Sequence, residues 1–179
     1  MLHRIDSVPA LALGEGALDA LPEAAGTRAG GAPILLICDA GLAEMGLFST
    51  VETALRPRRS TVVRHVPPAG EPAAAAIRAA VQAAESASAG LVVGVGGGSA
   101  LDIAKMTAVC AHPDSASESM AYALGARVMD ASLPKILIPT TAGTGSEVTR
   151  NAVIGVPEAL RKVSLRDPRL YPRLDSAFR

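Results

Sequence analysis

Short unbroken apolar runs recur along the chain, and segments of helical spacing separate them. "APILLICD", residues 32–39, is continuous until it meets an aspartate, the signature of a strand buried on both faces. "AGLAEMGLF" follows, with Leu42, Met45 and Leu47 at helical spacing. "STVVRHV", residues 60–66, is β-branched and strand-like. The alanine-rich stretch 71–87 puts Ile77, Val81 and Ala84 on one face and predicts a helix, with Pro72 in its first turn. "GLVVGV" is the next buried strand, "SALDIAKMTAVCA" the next helix, and "PKILIP", residues 134–139, a further strand. The alternation predicts an α/β fold with a Rossmann-like parallel sheet flanked by helices. Residues 114–132 read as a polar surface loop, "NAVIGV" and "KVSL" as short extended pieces, and the Pro- and Arg-rich end as lacking a core-forming pattern.

A chain of 179 residues is long enough for one domain with a real core. With two Phe, two Tyr and no Trp, that core must be built from Val, Ile, Leu and Ala. Lys plus Arg and Asp plus Glu both number 17, and no basic stripe is present, which argues against nucleic acid as a partner. No apolar run approaches the roughly 18 residues of a membrane span. The N-terminus carries charge and a proline before any apolar run, unlike a signal peptide. Cys38 and Cys110 form no framework and are expected to be buried thiols, which places the chain in the cytoplasm.

The chemistry starts at "LVVGVGGGSALDIAK", residues 91–105. Gly96, Gly97 and Gly98 stand between a strand and a helix, where bare backbone N–H groups and the positive end of the helix dipole meet. That arrangement suits a phosphate. Ser99 is placed to cap the helix and to donate to a phosphate oxygen, and Asp102 then completes a form of capping box. The same glycines could serve only a tight turn. Lys105, six residues after Ser99, comes too late to act as a P-loop lysine.

A second loop, "PTTAGTGSEVT", residues 139–149, also follows a buried strand and offers Thr140, Thr141 and Thr144 with Gly143 and Gly145. In a doubly wound sheet, both loops would face one crevice at the carboxyl ends of the strands. Asp39 ends the first strand and could accept hydrogen bonds from both hydroxyls of an adenosine ribose while repelling a 2′-phosphate, favouring NAD over NADP. It could instead cap the following helix. It precedes the glycines, the reverse of the usual dinucleotide fingerprint.

"GGGSALDIAK" together with "IPTTAGTGSEVT" closely resembles the iron-containing (group III) alcohol dehydrogenases, as do the earlier "LGEGALDALP" and "ILLICDAGLAEMGL". The resemblance runs from about Leu11 to Pro172. It implies a dehydroquinate-synthase-like N-terminal domain over 1–172 that binds NAD, with 173–179 as a divergent tail. It places Asp39 at the adenosine ribose, Gly97, Gly98 and Ser99 at the pyrophosphate, and Asp102 as the residue ordering the loop. Thr140, Thr141 and Thr144 would lie along the cofactor. Thr149, Asn151 and Lys162 match positions near the ribose and nicotinamide end. The activity implied is NAD(H)-linked interconversion of a small alcohol and its carbonyl.

The chain departs from the family's pattern in two places. Glu71 precedes Pro72 where the family has an Asn-Pro pair. The family's helical C-terminal domain, with one aspartate and three histidines for Fe²⁺ or Zn²⁺, is expected to be absent. His3, His65 and His112 make no ligand motif, and Asp175 stands outside the expected pattern. The isolated chain is therefore expected to bind dinucleotide more readily than it turns over alcohol, and to expose an apolar face that favours self-association or docking of the missing domain. Alternatives are a non-catalytic nucleotide-binding module and a relative of maleylacetate reductase or glycerol dehydrogenase.

Overall fold

The computed structural model describes residues 10–55, 61–70, 72–115, 122, 129–156 and 161–172. Its centre is a four-stranded parallel sheet of β1 (Ile34–Cys38), β2 (Val62–His65), β3 (Leu91–Gly96) and β4 (Lys135–Pro139), in the order β2-β1-β3-β4. In register, Ile34 lies between Val62 and Leu91, and Val92 lies between Leu35 and Lys135. Every residue of β1 and β3 is buried, as their unbroken apolar runs require.

The helices are α1 (Leu21–Ala29), α2 (Ala40–Glu44), α3 (Leu47–Leu55), α4 (Ala74–Ser86) and α5 (Gly98–Cys110). They cover both faces of the sheet. On one face Leu35, Ile37 and Val92 pack with Ile77 and Val81 of α4 and Ile103 of α5. On the other, Ile34, Leu36 and Val93 pack with Leu21 of α1 and Val51 and Leu55 of α3. The two cores follow from β pleating, which sends alternate side chains to opposite faces.

A second sheet is an antiparallel pair, β5 (Asn151–Val156) and β6 (Arg161–Arg166). Its buried positions, Ala152, Ile154 and Val156, alternate along β5, and the first two join the core beside α4 and α5. An isolated bridge pairs Ala73 with Gly155, and the Gly155 N–H donates to the Pro72 carbonyl at 2.7 Å.

Three expectations change. The helix after β1 is two helices separated by Gly46, and Met45 is exposed rather than packed. Helix α4 starts at Ala74, leaving Pro72 ahead of it, because the backbone of Pro72 and Ala73 is engaged with β5. The Pro- and Arg-rich end does contribute to the core. Leu170 is fully buried, and Asp167 caps the 3₁₀ turn Pro168–Leu170 by accepting the Arg169 N–H at 2.8 Å. The buried Lys135 ammonium anchors that turn to β4 by donating to the Arg169 and Tyr171 carbonyls at 2.7 and 3.2 Å. Glu71, most of the 114–132 loop and the tail 173–179 lie outside the described residues. No helix among the described residues is long and apolar enough to cross a membrane.

Candidate cofactor site

The strand order fixes where a ligand can sit. The chain leaves β1 towards β2 on one side and returns to β3 on the other, so a crevice opens outside the carboxyl ends of β1 and β3. Asp39 follows β1, Gly96 and Gly97 follow β3, and Thr140 follows β4. The structure thus brings the two glycine-bearing loops and Asp39 together. The Asp39 N–H donates to the Val95 carbonyl at 3.2 Å, and the Thr140 N–H donates to the Gly96 carbonyl at 3.0 Å.

Gly96 is required both by conformation and by contact, and Gly97 and Gly98 let the neighbouring loop approach closely. Gly96 has φ 146°, and a Cβ there would lie 2.8 Å from the Ala100 Cβ and 3.2 Å from the Asp39 Cβ. A Cβ on Gly98 would lie 3.1 Å from the Thr144 methyl carbon, and one on Gly97 would lie 3.4 Å from the Thr141 hydroxyl oxygen. The first turn of α5 is therefore pressed against the threonine loop, with Thr140, Thr141 and Thr144 exposed above it.

Gly97, not Ser99, is the N-cap of α5, and no side chain caps the helix. Ser99 lies inside the first turn. The leading N–H groups of α5 have no acceptor within the helix and none from a capping side chain. Helix α2 contrasts with it: Asp39 is the N-cap there, and its carboxylate accepts the Gly41 N–H at 2.9 Å. Asp39 therefore caps α2, one of the two roles its position allows. Its second carboxylate oxygen is not used by that cap.

Asp102 makes no capping box. It is buried, accepts the Ser146 hydroxyl at 2.7 Å and the Val153 N–H at 2.9 Å, and so ties α5 to the threonine loop and to β5. One turn on, Lys105 is fully buried, a position that sequence reasoning passed over. Its ammonium donates to the Asn151 carbonyl at 2.7 Å and to the Thr149 hydroxyl at 3.4 Å, and lies 3.6 Å from the Asp102 carboxylate. Burial pulls its pKa down to about 8, against the opposing pull of Asp102 and Glu147. The i,i+3 spacing of Asp102 and Lys105 was the available signal.

Two polar atoms in this region are buried and, among the described residues, unpartnered: Oδ1 of Asn151 and Oε2 of Glu147. Lys162 lies on the β5–β6 hairpin. It is exposed on β6 opposite Gly155, at the other end of the hairpin from Asn151. A cavity of about 380 Å³ lies along the outer edge of β4, lined by Leu11, Leu13, Leu21, Ile138 and Glu147 among others. The glycine loop does not line it.

The open first turn of α5 and its bare glycines fit a dinucleotide pyrophosphate. A metal is a different matter. Among the described residues, no three His, Cys, Asp or Glu side chains converge to hold one, and His3 and Asp175 lie outside those residues.

The family model for iron-containing alcohol dehydrogenases matches residues 9–175. Long-chain-alcohol dehydrogenase 1 of Geobacillus thermodenitrificans is 39% identical over 97% of this chain and 47% of its own length. The 4-hydroxybutyrate dehydrogenase of Cupriavidus necator is 36% identical over 78% of this chain and 36% of its own. Among solved structures, the NADH-dependent butanol dehydrogenase A of Thermotoga maritima superposes with a TM-score of 0.85 at 25% identity, covering 96% of this chain and 43% of that one. The sulfoacetaldehyde reductase of Bifidobacterium kashiwanohense, solved in complex with NAD⁺, superposes with a TM-score of 0.83 at 25% identity, covering 97% and 45%. The chain spans less than half the length of these relatives. With sequence motifs, sheet order and family match in agreement, this chain belongs to the iron-containing alcohol dehydrogenase family.

Proposed function

We propose that residues 1–172 form a unit that binds NAD(H), and that it serves the NAD-linked interconversion of a small alcohol and its aldehyde or ketone. The observation that carries this reading is the uncapped N-terminus of α5, pressed through Gly97 and Gly98 against the threonine loop at the switch point of the sheet. Bare amides aimed at one spot attract a diphosphate, and the helix dipole adds to the attraction. The NAD⁺ complex of the sulfoacetaldehyde reductase supports the choice of cofactor. The long-chain-alcohol, hydroxybutyrate and butanol dehydrogenase relatives support an alcohol and its carbonyl as the substrate class.

In this reading Gly96 keeps the floor open, and the amides of Gly97, Gly98 and Ser99 hold the pyrophosphate. The hydroxyls of Thr140, Thr141 and Thr144 close over it. Asp39 uses its remaining oxygen for the adenosine ribose while it caps α2. Asp102 holds the two loops in register, and Thr149 and Asn151 meet the nicotinamide end. Lys162 reaches that end from the β5–β6 hairpin, where an ammonium can bond ribose hydroxyls or a phosphate. When bound, NAD(H) supplies the hydride acceptor or donor, and the residues described here bind and orient it. Two buried free thiols support a reducing, cytoplasmic setting.

Calorimetric titration with NAD⁺ and NADP⁺ tests the reading. Wild type is expected to prefer NAD⁺ by about tenfold or more, since Asp39 repels a 2′-phosphate. Asp39→Asn keeps a capping oxygen but loses the charge, so it should narrow the ratio without losing the cap. Absence of binding to either nucleotide, or an unchanged ratio in the variant, would remove the proposal's support.

A further inference from the structure

We propose that Lys105 is a positioning residue: held beside Asp102, its ammonium sets the direction of the Thr149 hydroxyl and fixes the backbone of Asn151 for the bound dinucleotide. This inference rests on the cofactor reading above.

Lys105 has no solvent exposure, so each of its hydrogens needs an acceptor inside the protein. The Asn151 carbonyl and the Thr149 hydroxyl oxygen provide two, and the Asp102 carboxylate stands 3.6 Å away. An ammonium only donates. The Thr149 oxygen must therefore accept from Lys105, which leaves the Thr149 hydrogen free to point elsewhere. A neutral amine carries a lone pair and could capture that hydrogen instead. The charge on Lys105 thus decides whether Thr149 is a donor to a ligand. Asn151 adds an independent sign of an absent partner. Its backbone carbonyl is held by Lys105, yet its side-chain Oδ1 is buried and has no partner among the described residues.

The charged groups acting on Lys105 are Asp102 from α5 and Glu147 from the 3₁₀ turn Ser146–Val148, while β5 presents the neutral Asn151 carbonyl. With its pKa pulled down to about 8 by burial, Lys105 loses its proton at mildly alkaline pH. The dinucleotide has no group of its own titrating there.

The test measures NADH affinity by fluorescence from pH 6.5 to 9.5 for wild type, Lys105→Met and Thr149→Val. Wild-type affinity is expected to fall about threefold to tenfold across a midpoint near pH 8. Lys105→Met should bind about tenfold more weakly than wild type at pH 7, with no midpoint near 8. Thr149→Val keeps Lys105 but lacks the hydroxyl, and it should also be flat; it decides the matter if Lys105→Met does not fold. A midpoint that persists in either variant, or a wild type without one, overturns the inference. Should wild type bind no NADH at any pH, the cofactor reading itself fails. Amide exchange at Ala152 and Val153 then decides the positioning claim, which requires faster exchange in Lys105→Met.

Discussion

The Asp102 carboxylate accepts the Ser146 hydroxyl at 2.7 Å across 44 residues of chain. This bond joins the helix that starts at the glycine loop to the turn that ends the threonine loop. The geometry of the crevice thus depends on a contact lying beneath it.

Loss of that contact should be measurable by urea unfolding. Ser146→Ala removes one hydrogen bond to a charged group and is expected to cost about 1.5–3 kcal/mol. Asp102→Ala also strips the Val153 N–H of its acceptor and leaves the Lys105 ammonium buried without its carboxylate, so about 3–5 kcal/mol is expected. The double variant should lose less than the sum of the two. Strict additivity would show that Ser146 and Asp102 do not act together.

Gly96 and Gly98 should respond differently to alanine. At Gly96 the new methyl meets Ala100 and Asp39 at a φ that L-residues rarely adopt, and a destabilisation of roughly 2–4 kcal/mol follows. At Gly98 the methyl meets only Thr144, which lies on an exposed loop able to give way. Gly98→Ala should therefore fold with a loss of about 1 kcal/mol or less while NAD⁺ affinity drops at least tenfold. Thermal melts paired with titrations separate the two effects. Equal stability losses at both positions would contradict the packing described.

Stability should depend on pH with opposing signs. The folded state depresses the pKa of Lys105 from 10.5 to about 8, so between those values the unfolded chain holds a proton that the folded chain has released. Stability from Lys105 therefore rises with pH across that window, by up to roughly 3 kcal/mol. The thiols act the other way. Burial, helped by Asp39, pushes Cys38 up to about 11, and burial, helped by Glu85, pushes Cys110 up to about 12. Their contribution is complete below pH 9 and is lost as pH rises through the folded values. Melting temperatures should climb from pH 8 to about 9 and then fall. Lys105→Met should lack the climb, and a variant that retained it would refute this assignment.

The parts of the fold legible in the sequence were those governed by local pattern. The runs around Leu36 and Val93 gave β1 and β3 because a strand buried on both faces needs no alternation, and the run around Leu137 gave β4, which lies at the edge of the sheet and is only partly buried. Placing Asp39 and the two glycine loops in one crevice needed only the rule for parallel sheets. What was missed depends on distant partners. Helix α4 starts late because Pro72 and Ala73 meet Gly155. Asp102 looked like part of a capping box, yet its partners are Ser146 and Val153. The position of Lys105 excludes only a P-loop role, and its burial is not legible because its acceptors lie 44 and 46 residues ahead. Leu170 sits in a stretch without periodicity and is held by a cap and by Lys135.

The diphosphate is expected to rest on the amides that open α5. Titrating the ¹⁵N-labelled chain with NAD⁺ and following each backbone amide tests it most directly. The largest shifts are expected at Gly97, Gly98 and Ser99, with Thr141 and Thr144 next. Shifts confined to the β4-edge cavity, at Leu11, Leu13 and Ile138, with the amides of α5 unmoved, would contradict the account.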